Sequence, residues 1–265
     1  MLRTRRIVSV TLVLAVLGAS ATAAAARSGA AGSPRAYSTE NTKFVASATY
    51  DVLGRRANAA DYARWVAPLD AGGTRLDFAS ELVKRPERAA IVVTGLYKSV
   101  LLRTPDAVGL AYWTAKVTSG YPSANLAAAL YASNEFYDGA GGTADAYVKV
   151  VYVSLLERPA DAAGLAYWTK KIESGAPRSS IARSFYLSTE SNARRVRAIY
   201  LRLLLRPPTP DVLKTWSRTL ATQDDNVLVA QLVASDEYFA WSQSRPSVET
   251  TTTVPRSTSS TTTPH

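Results

Sequence analysis

Apolar residues recur along most of this chain at helical rather than alternating spacing. Val148, Val151, Tyr152, Leu155 and Leu156 form one such stripe, and Val196, Ile199, Tyr200, Leu203 and Leu204 form another. Each stripe ends at an arginine. The proline that follows lacks an N–H and disfavours helix in the residue before it, so the helix stops there. Thr104-Pro105-Asp106 then predicts a restart, with Thr as N-cap, Pro at the first position and Asp in the first turn facing the positive end of the dipole. The second helix carries Leu110, Trp113 and Val117, matched by Leu165, Trp168 and Ile172, an i, i+3, i+7 face. Gly120 and Gly175 suit left-handed C-terminal caps. A third helix opens near Ser123 or Ser179 and ends near Ser133-Asn134-Glu135-Phe136 or Ser188-Thr189-Glu190. No stretch alternates like a strand, so the expected fold is all-α.

The same three-helix pattern recurs four times. Trp65, Trp113, Trp168 and Trp216 are spaced by 48, 55 and 48 residues, and Arg55, Arg103, Arg158 and Arg206 each lie ten residues earlier. The longer interval contains Asp138-Gly139-Ala140-Gly141-Gly142-Thr143, a loop by composition. An apolar residue recurs about 13 positions after each Trp (Phe78, Leu126, Ile181, Leu228) and again about 17 after it (Leu82, Leu130, Phe185, Leu232). A glutamate follows near 22 (Glu87, Glu135, Glu190, Glu237), one residue short in the last unit. The expected fold is a tandem repeat of about four three-helix units, packed as a helical array or bundle. The units are 44–90, 91–140, 146–193 and 194–240, within a repeat domain at 44–240. The outer units depart from the pattern. Asn58, Asp61 and Arg64 replace the Asp, Gly and Tyr of the first, and Thr209-Pro210-Asp211 has slid toward Trp216 in the fourth. Such drift is expected of end caps in a stacked array.

The repeated R-x-P-D-x-x-G-L-x-Y-W with a downstream S-x-E-F resembles a bacterial family of unknown function, DUF4214, itself distantly similar to phycobilisome-linker domains. Arg103, Pro105, Asp106, Gly109, Leu110, Tyr112, Trp113, Ser133, Glu135 and Phe136 carry the first central copy. Arg158, Asp161, Gly164, Leu165, Tyr167, Trp168, Ser188 and Glu190 carry the second, with Pro159 one position early. The resemblance covers roughly Phe44 to Phe239, most closely in the middle. It implies an extracellular or surface-associated helical module, often tandem, with no established activity.

Composition narrows the chemistry. The 265 residues contain no cysteine, which removes thiolate nucleophiles and thiolate metal sites. The one histidine is His265, in a polar tail, so histidine triads and histidine metal clusters are absent as well. No cofactor, metal or catalytic residue is therefore expected. The net charge is +10, or +7 without the three leader arginines. That charge suits either an anionic partner or a basic solvated surface, and no motif for specific nucleic-acid recognition accompanies it.

Met1 to Arg6 is basic, Ile7 to Leu17 apolar and Gly18 to Ala26 small, with A-x-A cuts after Ala23 or Ala26. This order predicts a cleaved signal peptide at 1–26 and a secreted or cell-surface protein, with no membrane span once the leader is removed. Retention as an uncleaved anchor is the competing reading. Residues 27–43 read as a flexible lead-in. Residues 241–265 read as a Thr/Ser/Pro-rich disordered tail, of the composition of a glycosylated stalk.

Three functions fit these observations. The leading expectation is a non-enzymatic binding or scaffolding module at the cell envelope, acting through protein–protein contacts, self-association included. The second is a module for carbohydrate or cell-wall glycan, using exposed aromatics. Tyr112 and Tyr167 lie about 100° around the helix from Trp113 and Trp168, beside Lys116, Lys170 and Lys171, and these five are the candidate binding residues. The third is a cell-wall glycoside hydrolase using Asp106 and Glu135. Against the hydrolase, the same residue types recur at the same offsets in the next unit. Arg103, Asp106, Gly109, Trp113 and Glu135, with Arg158, Asp161, Gly164, Trp168 and Glu190, are therefore expected to be structural. Arg103–Glu135 and Arg158–Glu190 are expected as partly buried salt bridges joining the first helix's end to the third's.

Overall fold

The computed structural model describes residues 37–245, all helix and connecting loop, with no strand among them. The leader and most of the tail lie outside the described residues. The first helix of each unit is α1 (Thr39–Leu53), α4 (Pro86–Val100), α8 (Ala144–Leu156) or α11 (Thr189–Leu204). The second is α2 (Ala59–Asp70), α5 (Ala107–Thr118), α9 (Ala162–Glu173) or α12 (Pro210–Thr219). The third is α3 (Arg75–Leu82), α6 (Ser123–Ala132), α10 (Arg178–Tyr186) or α13 (Asp225–Ala234). Two further helices, α7 (Asn134–Gly139) and α14 (Asp236–Ser244), follow α6 and α13.

The stripes read from the sequence form the core. All five apolar positions of α8 and all five of α11 are buried. So are the residues 13 and 17 positions after each Trp, which centre α3, α6, α10 and α13. Leu110, Trp113 and Val117, with Leu165, Trp168 and Ile172, are half-buried and pack against the same core from outside. Neither α5 nor α9 has a fully buried residue, so the second helix of each central unit rides on the surface.

The four units are not stacked in chain order. Buried residues divide into one cluster from units one and four and another from units two and three. Helix α3 packs on α13 in the first lobe, and α6 on α10 in the second. The outer units are therefore partners sharing a core, not the end caps their divergence suggested. Helices α4 and α11 run unbroken across the junctions between units one and two and between units three and four, carrying the chain from lobe to lobe. Between units two and three the chain stays in one lobe and must double back. There the glycine-rich insertion splits what would be one helix into α7 and α8. Gly141 and Gly142 have φ of 109° and 67°, and their N–H groups reach the carbonyls of Asp138 and Tyr137.

The ordered domain is wider than expected at both ends. Helix α1 begins at Thr39, inside the expected lead-in, because Ser38 caps it and Asp70 accepts bonds from Ser38 and from Asn41 Nδ2 (2.7 Å). At the other end α14 continues to Ser244. Arg245 reaches the Asp51 carboxylate at 3.1 Å and lies over the Trp241 ring.

Candidate functional site

The repeated motif is a helix-joining bracket. In each unit the residue just before the arginine adopts left-handed backbone: Gly54 (φ 67°), then Leu102, Glu157 and Leu205 (φ 55° each). This reverses the chain and aims the arginine at a glutamate 31 or 32 residues on. Arg103 donates from Nε and a terminal nitrogen to Glu135 at 2.5 and 2.8 Å, and Arg158 to Glu190 at 2.8 and 3.2 Å. Arg206 makes the same fork with Glu237. Arg55 instead grips Asp61 at 2.6 Å and reaches Glu87 at 3.4 Å. Two details differ from the sequence reading. Each glutamate begins the helix after the third, rather than ending the third. The pairs are exposed, not partly buried: Arg103 and Glu135 keep 42% and 47% of their side-chain surface. Solvent therefore screens them, and they orient the helices more than they stabilise them.

Asp106 and Asp161 also sit one step away from the expected register. They are themselves the N-caps of α5 and α9, each accepting the N–H of Gly109 or Gly164 at 2.8 Å. The threonine–proline start expected at 104–105 occurs only in the fourth unit, where Thr209 precedes Pro210 at the head of α12. In the first unit Asn58 and Asp61 replace the Asp and Gly with a reciprocal capping box. The motif glycines answer to space rather than to backbone twist. A Cβ on Gly164 would lie 2.2 Å from the Tyr152 hydroxyl, and one on Gly109 3.2 Å from that of Tyr97. Gly120 and Gly175 do adopt left-handed backbone (φ 94° and 87°) and close Schellman caps, as the sequence suggested.

Hydrogen bonds set the carboxyl pKa values. The Gly109 and Gly164 N–H groups hold Asp106 and Asp161 below the usual carboxylate range. The guanidinium groups of Arg103 and Arg206 do the same for Glu135 and Glu237.

The predicted binding residues lie outside, on α5 and α9. Tyr112 and Tyr167 are 51% and 54% exposed. Each ring stands edge-on to its Trp neighbour, with centroids 5.0 Å apart. Lys116 Nζ lies 5.0 Å from the Tyr112 centroid and 5.2 Å from that of Tyr121, and Lys171 Nζ 5.5 Å from Tyr167. Lys170 is exposed beside them without a ring contact.

The cleft between the lobes is a feature the sequence reading missed. Helices α4 and α11 wall a space of about 670 Å³, closed at one end by the start of α13. Its lining includes Arg88 from α4 and Arg194, Arg195, Arg197 and Arg202 from α11. A second space of about 300 Å³ lies beyond, sharing Ser123, Arg195 and Asp224 to Asn226 with the first. Asp224 ties the lobes together. It caps α13 through the Asn226 N–H and accepts the Ser123 N–H and hydroxyl at 3.1 and 2.6 Å. The only sequence trace of this cleft is the density of arginine in α11. That reads equally as a solvated helix face until α4 is placed opposite.

The family described as a domain of unknown function (DUF4214) matches residues 88–140 and 127–195. That is the family the motif resembles. The matched span runs through α4 to the start of α11 and takes in the whole core of the lobe built from units two and three. No curated protein and no solved structure matches the chain.

Among the described residues no helix is long and apolar enough to cross a membrane. None of them forms a cluster of metal-ligating side chains either.

Proposed function

We propose that this chain is an exported, non-enzymatic binding or scaffolding module that works at the cell envelope through protein–protein contacts. The supporting observation is that α5 and α9, which fully bury no residue, carry the same tyrosine and lysine outward in two equivalent places, each tyrosine set edge-on to a half-buried tryptophan. Exposed tyrosines are among the side chains enriched at protein interfaces. The order of basic, apolar and small residues in the leader supports export.

A glycan-binding role is the second reading, favoured by the half-exposure of the same tyrosines. Against it, the Lys116 and Lys171 ammonium groups and the tryptophans already lie against those rings, leaving less free face for a sugar to stack on. A hydrolase fits least well. A general acid needs a carboxyl raised toward neutrality. Asp106 and Glu135 are both lowered, one occupied as a helix cap and the other in an arginine fork.

Photo-crosslinking tests the proposal. Benzoylphenylalanine replacing Tyr112 or Tyr167 is expected to give discrete protein adducts in intact envelopes. Binding to purified sacculi is expected to disappear at moderate salt, since screening acts beyond a Debye length of ~8 Å. Sacculus binding that survives high salt and is lost in Tyr112→Ala/Tyr167→Ala would transfer the role to glycan.

A further inference from the structure

The cleft between α4 and α11 is built unlike a structural interface. Arg88 is 7% exposed and donates from Nε to Asn226 Oδ1 at 2.9 Å. No oxygen of the described residues accepts a hydrogen bond from its terminal nitrogens, and the Asp224 and Asp225 carboxylates attract it only at longer range. Burial first, and then the like charge of nearby Arg202, hold the Arg88 guanidinium down at about 10 against the opposing pull of the Asp224 and Asp225 carboxylates. Arg202, across the cleft, donates to the backbone carbonyl of Asp51 at 2.8 Å and is attracted by the Asp51 carboxylate, which hydrogen-bonds Tyr238 and Arg245 instead. The acidic groups in the cleft make their hydrogen bonds and closest ion pairs elsewhere. Glu157 is paired with Arg194, Asp225 with Arg195 at 3.3 Å, and Asp224 bridges two helix starts. A cation this deeply buried, whose terminal N–H groups no protein oxygen accepts, is completed by an anionic acceptor in the cleft.

The walls beside these arginines are apolar. Ile91 on α4 and Leu201 on α11 are exposed there, 38% and 51%, with Val92 and Leu96 alongside. Gly95 faces open space, since a Cβ built on it meets nothing within 4 Å. The volume is in the range that takes a small organic ligand.

We propose that this cleft binds an amphiphilic organic acid, its carboxylate or phosphate held between Arg88 and Arg202 and its apolar body lying between α4 and α11. The arginine fork matches either head group in bidentate fashion, which is why both are named. This site is separate from the outer tyrosines and stands or falls independently of them.

Calorimetric titration of the full chain with octanoate, octyl phosphate, inorganic phosphate and octyl glucoside, at physiological salt, tests it. Saturable binding at one per chain is expected for at least one of the two octyl acids, and comparing them identifies the head group. Inorganic phosphate and octyl glucoside are expected to bind at least about tenfold more weakly, each lacking one half of the ligand. Arg88→Leu and Gly95→Trp are each expected to weaken binding about thirtyfold or more, the size of effect seen when one partner of a buried charge pair is removed. Tyr112→Ala/Tyr167→Ala is expected to leave it unchanged. Melting curves check that each variant folds. Should Arg88→Leu fail to fold, Arg202→Gln together with Gly95→Trp decides the matter. No saturable binding, equal binding of the glucoside or of inorganic phosphate, or binding that survives the cleft variants overturns the proposal.

Discussion

Two kinds of residue carry more strain than the sequence reveals. Leu102, Glu157 and Leu205 hold φ near 55° where the first unit uses Gly54. Leu102 is also 87% exposed, so its side chain gains little from packing. Left-handed backbone costs an ordinary L-residue about 1–2 kcal/mol, partly offset because glycine is freer when unfolded. Leu102→Gly and Leu205→Gly are expected to raise stability by about 0.5–1 kcal/mol in urea denaturation. A loss would mean these leucines pack on something. The opposite substitution fails at the motif glycines. Gly164→Ala places a methyl against the Tyr152 hydroxyl and is expected to destabilise by about 1–3 kcal/mol, the usual cost of overpacking. Tyr152→Phe should recover part of that, while Gly109→Ala, with a Cβ 3.2 Å from its tyrosine, should cost less. The repeat spacing marked these glycines as special. It did not say why, since the tyrosine that needs the space lies in the preceding helix.

At the level of elements, the capping aspartates and bracketing glutamates give acid sensitivity a definite sign. Asp106, Asp161, Glu135 and Glu237 all have folded-state pKa values below their ordinary ones. Their contribution is complete above the unfolded values of about 4 and is lost as pH falls through the lowered folded values. Asp225, raised by burial, acts in the opposite sense. The lowered carboxyls, Asp61 and Glu87 among them, draw the urea midpoint down below about pH 4, and Asp225 opposes that fall. Glu135→Gln/Glu237→Gln should flatten that fall, and an unchanged slope would remove the brackets from the account. The insertion is the second element-level test. Deleting residues 138–144 restores the 48-residue spacing and lets α7 run into α8. Unit three would then be carried away from unit two, as α4 carries the chain away from unit one. Loss of the monomeric fold, or domain-swapped dimers in light scattering, is expected. A stable monomer would show that the split helix does not direct the turn.

Across the whole molecule, helices, repeat and core positions were legible because each depends on residues a few places apart. Which unit pairs with which was not, because Phe78 and Leu228 carry the same apolar signal as Leu126 and Ile181 and nothing local says which faces meet. Pairing by lobe makes a prediction that a linear stack does not. Residues 86–188, from α4 to the end of α10, contain every buried residue of one core, whereas residues 37–132, α1 to α6, hold a little under half of each. A stacked array would let either neighbouring pair fold alike, since each repeat needs only its neighbour. Here the 86–188 fragment is expected to show native helicity and a cooperative melt. The 37–132 fragment, equally contiguous in the chain, is expected to be molten or aggregated with its apolar faces open. Circular dichroism and amide exchange on the two fragments compare them directly. Equal folding of both would show that neighbours along the chain, not partners across a lobe, complete each other's core. Folding of 86–188 alone would make that lobe, which lies within or beside the residues matched by DUF4214, an independent folding unit of this chain: two repeats face to face.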